Sequence, residues 1–149
     1  MPEVKPILDS LFDSGKMELD KKDYVIDIKV HMLMPGQYPC VPGWHCDFIP
    51  RDESKVKNAS LISGEEMYLW VSGEPKTEFK TFKKELTLDG YKWKVFTQRD
   101  SHRGTPAKDH TWRCFIRVIP KKFIHGFTLN VGEIRRHSQV YLVNENYTW

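Results

Sequence analysis

The sequence predicts a mainly β fold, a double-sheet jelly roll preceded by a short N-terminal helix. Three observations carry that expectation. Apolar residues recur with period two in several separate stretches, as they do in strands with one buried face. Gly, Pro and Asp punctuate those stretches at short intervals. The 149 residues then accommodate about eight strands of five or six residues, with little left over.

In chain order, Ile7, Leu8, Leu11 and Phe12 recur at helical spacing, and Gly15 is placed to stop that helix. From Tyr24 to Met34 the alternation is sustained. Tyr24, Ile26, Ile28, Val30, Met32 and Met34 share one face, and Val25, Asp27, Lys29, His31 and Leu33 share the other. Met34-Pro35-Gly36-Gln37 turns the chain. Trp44 to Ile49 reads as a short strand and Arg51 to Asn58 as a polar loop. Glu66 to Ser72 is a further strand, ended by Gly73-Glu74-Pro75, while Thr77 to Leu88 is ambiguous. Asp89-Gly90 has the composition of a hairpin turn before a strand from Tyr91 to Thr97. Thr111 to Ile119 is a strand closed by Pro120. Phe123 to Leu129 and Val140 to Val143 supply two more short ones.

Composition sets the class. A chain of this length forms one domain, residues 1–149, around one core. A net charge of +3 does not by itself argue for nucleic acid; the pairs Lys83-Lys84, Lys121-Lys122 and Arg135-Arg136 read first as solvated surface, with a nucleic-acid surface, helped by nearby Trp and Tyr, as the weaker alternative. No apolar run is long enough to span a bilayer, and the first residues lack the apolar core of a signal sequence, so a cytoplasmic protein is expected. Cys40, Cys46 and Cys114 form an odd set with no C-x-x-C pair, which suggests neither a disulfide framework nor a zinc knuckle. Exposed strand edges in so small a jelly roll allow a homodimer.

Chemistry concentrates in three segments: Trp44-His45-Cys46-Asp47, Ser101-His102-Arg103-Gly104 and Thr111 to Ile119. On a strand His45 and Asp47 point the same way, since side chains alternate. A second imidazole completes a two-His, one-carboxylate set, the ligand set of a facial iron(II) site with open positions. His102 is preferred over His110 and His125, because it follows a strand and precedes a rigid Gly/Pro turn. In the strand from Thr111, both faces are mainly apolar, yet Arg113 and Arg117 share one of them with Phe115 and Ile119. Two buried guanidinium groups are costly unless anions match them. An internal carboxylate such as Asp47 satisfies one; a bound dicarboxylic acid satisfies the other.

His45-x-Asp47, His102 and Arg113 resemble, in type and order, the motif of iron(II)- and 2-oxoglutarate-dependent oxygenases. The resemblance covers Tyr24 to Pro120. It implies a double-stranded β-helix, a cupin-like jelly-roll variant with iron in its interior. It also implies that His45, Asp47 and His102 ligate Fe(II), and that Arg113 binds the distal carboxylate of 2-oxoglutarate, with Arg117 as the alternative. Tyr68 and Thr77 are candidates for a hydroxyl that adds to this clamp. The activity implied is hydroxylation of a C–H bond in a small molecule, a protein side chain or a nucleobase.

Two other readings remain open from the residues. One is a non-catalytic jelly roll that holds a nucleotide or sugar phosphate through Arg113 and Arg117. The other is a cupin-type metal enzyme without 2-oxoglutarate, which needs an extra imidazole from His31 or His110.

Overall fold

The computed structural model describes residues 3–14, 24–49, 62, 64–80, 85–123 and 134–136. Strand accounts for 43% of them, against one short helix, so the fold is mainly β as expected. The helix, α1, runs Val4–Asp13, and the strands are β1 (Tyr24–Leu33), β2 (Met67–Val71), β3 (Thr77–Lys80), β4 (Glu85–Thr87), β5 (Lys94–Phe96), β6 (Ser101–Gly104), β7 (Thr111–Pro120) and β8 (Ile134–Arg136).

Alternation along the two ten-residue strands builds the larger sheet, of order β5-β2-β7-β1-β8. β1 and β7 pair antiparallel over their full length, from Tyr24 opposite Pro120 to Leu33 opposite Thr111. Every pair except β1 with β8, which is parallel, is antiparallel. The smaller sheet has the order β4-β3-β6.

Each face of the large sheet has its own cover. One face presents Ile26, Ile28 and Val30 of β1, Tyr68 and Trp70 of β2, and Cys114, Ile116 and Val118 of β7. Leu8, Leu11 and Phe12 of α1 pack onto this face, and Leu11 is fully buried. The Trp93 indole fastens the helix by donating to the Ile7 carbonyl at 3.1 Å. The other face presents Val25, Leu69, Val71, Phe96 and Ile119, which pack with Phe79 of the small sheet into the main core. The two sheets thus face each other across a common interior. The inner face also carries Asp27, Lys29 and His31 of β1 and Arg113 and Arg117 of β7, four of them nine-tenths or more buried.

Several local expectations are corrected. Trp44 to Ile49 is not a strand. His45 makes one isolated bridge, and Phe48 adopts a φ of 59°, which breaks extended backbone. Tyr91, expected to open a strand, lies in the preceding turn with φ 63°, so β5 begins at Lys94. The undecided stretch from Thr77 forms β3 and β4, paired from Glu78 opposite Thr87 to Lys80 opposite Glu85. β8 went unread in the sequence. Residues 121–123 form a 3-10 turn. Gly15, Arg51 to Asn58, residues 124–129 and Val140 to Val143 lie outside the described residues. No described helix is long and apolar enough to cross a membrane, and all three cysteines are free thiols.

Candidate metal centre and anion pocket

The site begins with one pair of backbone hydrogen bonds. His45 N–H donates to the His102 carbonyl at 3.0 Å, and His102 N–H donates to the His45 carbonyl at 2.8 Å. Residues that exchange both bonds in an antiparallel pair project their side chains to the same side. The two imidazoles therefore emerge together, with ring centroids 4.5 Å apart. His102 lies within β6 rather than in the loop after a strand. Phe79 and Phe96 frame its ring at 5.3 and 5.5 Å.

Both rings are fixed in one tautomer. His45 Nδ1 donates to the Gly43 carbonyl at 2.8 Å, and His102 Nδ1 donates to the Asp100 carbonyl at 3.1 Å. A carbonyl can only accept, so Nδ1 carries the proton in each neutral ring and Nε2 offers a lone pair. Those lone pairs face Asp47, at 3.9 Å from His45 Nε2 to Oδ1 and 3.5 Å from His102 Nε2 to Oδ2. One ligand atom from each of the three residues lies within 4.8 Å of the others. With both rings neutral the three groups are all acceptors and repel one another, unless a metal ion or an added proton sits among them. His45, Asp47 and His102 can hold a metal ion, and carbonyl-anchored imidazoles are the usual support for such ligands.

Charge at the site follows from burial. Burial pushes the His45 pKa down and the neighbouring His102 adds to this, which favours the neutral ligand form. Burial opposes the charge on Asp47, but the Arg117 guanidinium outweighs it and holds the carboxyl well below the usual range. Arg117 bonds Asp47 Oδ2 through Nη1, and through Nη2 it bonds Asp27 Oδ2 at 2.5 Å.

Arg113 is placed differently. It is 1% exposed; its Nε donates to the Pro75 carbonyl at 3.0 Å and its Nη2 to Thr77 Oγ1 at 2.9 Å. Burial lowers its pKa, yet a guanidinium stays protonated throughout the working range. Among the described residues no carboxylate lies within ion-pair distance of Arg113. It borders a cavity of about 150 Å³ that also reaches His45, Asp47, His102, Thr77 and Lys29. A void of this size holds a small organic molecule. Cys40 and Pro39 close one side against β6. A Cβ on Gly104 would lie 2.7 Å from Cys40 Sγ, so only glycine permits that approach.

The sequence-selected residues thus divide. His45, Asp47, His102, Arg113, Arg117 and Thr77 all line one cavity. Tyr68 does not: it packs on the opposite face of the sheet beneath α1, where its hydroxyl donates to Glu66 at 2.9 Å. Thr77 alone remains as the hydroxyl partner of the clamp. The extra imidazole of a cupin-type site is absent from the metal-binding group among the described residues; His110 is exposed before β7, and His31 does not line the cavity. His125 lies outside the described residues. Sequence reasoning missed Lys29 and Asp27 as site residues. Lys29 Nζ donates to the Pro39 carbonyl at 2.7 Å, and burial pushes its pKa down to about 8. The available signal was ionisable residues at successive positions of the β1 face shared with Val25 and Leu33.

Compared with known protein families, characterised proteins and solved structures, the chain has no match.

Proposed function

We propose that the chain is an iron(II)- and 2-oxoglutarate-dependent oxygenase, a double-stranded β-helix whose site lies between its two sheets. The observation that supports this most is the pairing of two features in one cavity. Three ligand atoms of His45, Asp47 and His102 converge there, and beside them is a buried guanidinium with no carboxylate partner among the described residues.

His45, Asp47 and His102 would hold Fe(II). Bound there with 2-oxoglutarate, the metal supplies the oxygen activation that hydroxylates a C–H bond. The other tasks belong to the chain. Arg113 can fork onto the distal carboxylate of the diacid, because its Nη1 makes no hydrogen bond among the described residues. Thr77 Oγ1 accepts from Arg113, so its own hydrogen is available to the same carboxylate. Lys29 adds positive charge at the cavity wall. Leu69, Phe96 and Phe115 supply apolar lining that excludes water and strengthens these charge interactions.

The test is an anaerobic titration with iron(II) and 2-oxoglutarate, following the visible charge-transfer band of the chelate. The expected result is a band that His102→Ala abolishes, and that Arg113→Met shifts to much higher 2-oxoglutarate concentration with iron still bound. Absence of a band from protein that nevertheless binds an anion without metal would replace this reading with a non-catalytic anion-binding protein.

A further inference from the structure

Arg117 lies between two carboxylates, and its Nε has no hydrogen-bond partner among the described residues. Its two terminal nitrogens each engage a carboxylate, Asp47 on one side and Asp27 on the other. Asp27 is 2% exposed, so a second anion has been buried next to the first. Phe48 and Phe115 lie against the guanidinium, with ring centroids 4.9 and 5.4 Å from its central carbon. Carboxylates in its plane and aromatic rings against it leave the group little freedom to rotate. Asp47 is bound asymmetrically as a result. Oδ2 takes the Arg117 bond, while Oδ1 accepts no hydrogen bond among the described residues and faces His45.

Resting on the metal-site reading above, we infer that the Asp27–Arg117 pair is a positioning device that presents Asp47 to the metal through a single oxygen. The chemical reason lies in the number of coordination positions. A chelating diacid and an oxygen molecule together need three open positions beside the three protein ligands. A carboxylate that bound through both oxygens would occupy one of them. A guanidinium fixed on Oδ2 opposes that mode, and its charge draws electron density away from the metal. Asp27 contributes by anchoring the far side of the guanidinium and keeping its charge matched. Asp27 and Arg117 sit opposite each other in the β1–β7 register, so the fold supplies their alignment directly.

Cobalt(II), which needs no oxygen or reductant, is the probe: its visible spectrum reports coordination before any co-substrate is present. The variants are Arg117→Met and the double change Asp27→Asn with Arg117→Met. The double variant removes cation and anion together, so Asp27 is not left as an unpaired buried carboxylate and Asp47 is the one anion that loses its partner. Wild-type protein should bind one equivalent of cobalt(II). In the double variant cobalt(II) should bind as tightly or more tightly, with an altered visible spectrum. Affinity of the cobalt form for 2-oxoglutarate should fall by about tenfold or more, within the range seen when support of a metal ligand is removed. An unaltered cobalt spectrum overturns the inference even if 2-oxoglutarate affinity falls, since Arg117 would then be touching the diacid directly. A tenfold loss of cobalt affinity in a folded double variant also overturns it. Failure of the wild-type protein to bind cobalt(II) overturns the underlying metal-site reading, a separate result.

Discussion

Asp47 carries two duties, as a ligand candidate and as a counter-ion of Arg117, and single substitutions separate them. Asp47→Ala is expected to abolish divalent-metal binding in a calorimetric titration. It should leave the protein folded, because Arg117 keeps its bond to Asp27. Lys29 gives a second test. Its pKa of about 8 means that the ammonium beside Arg113 is lost at a pH where an ordinary lysine stays charged. A cation at the cavity wall favours a dianion, so affinity for 2-oxoglutarate should decline as pH rises through about 8. Lys29→Met should flatten that profile, as calorimetry across pH 6.5 to about 9.5 would show. Gly104 is a third. Its substitution by alanine forces the Pro39-Cys40 wall away from β6, so Gly104→Ala is expected to weaken binding of the diacid more than binding of metal.

The elements explain why these residues could be read so unevenly from sequence. β1 and β7 are long, strictly alternating and paired end to end, so which side chains face inward follows from period two alone. That is why the buried pair Arg113 and Arg117, and their need for anions, were legible before any coordinates. The segment around His45 was legible for its chemistry but not for its conformation. His45 and Asp47 converge through one bridge to His102 and a turn at Phe48, and a positive φ at a phenylalanine has no sequence signature. Tyr68 was misassigned for a related reason. Alternation put Tyr68 and Trp70 on one face, but only the packing of α1 shows that this face lies away from the cavity. The helix is therefore a cover for the sheet rather than part of the site. Leu11→Ala should cost about 2–5 kcal/mol in denaturant unfolding, while metal affinity in the remaining folded protein stays the same.

Across the whole molecule the interior is electrostatically divided. On one side Asp27, Arg117 and Asp47 sum to a single negative charge that faces the His45 and His102 imidazoles. On the other, Arg113 and Lys29 offer positive charge, with no carboxylate at Arg113 among the described residues. A divalent cation matches the first region and a diacid the second, so each ligand should stabilise the folded state by mass action. Saturating cobalt(II) is expected to raise the melting temperature of the wild-type chain, with a further rise on adding 2-oxoglutarate. Asp47→Ala should show neither metal-dependent rise.

The sequence by itself determined the mainly β class, the inward faces of the two long strands, and the kinds of side chain that could make a metal and anion site. These are local properties, fixed by alternation and by the cost of burying charge. Tertiary structure alone decided which arginine is already neutralised. Arg117 meets Asp27 because β1 lies beside β7, and it meets Asp47 because the segment after His45 folds back over the sheet. Arg113, four residues earlier on the same strand face, donates to a carbonyl and a hydroxyl and meets no carboxylate among the described residues. Two arginines equivalent in pattern thus acquire opposite electrostatic situations, because a charge is balanced by what lies within a few ångströms in space, and period two says nothing about that.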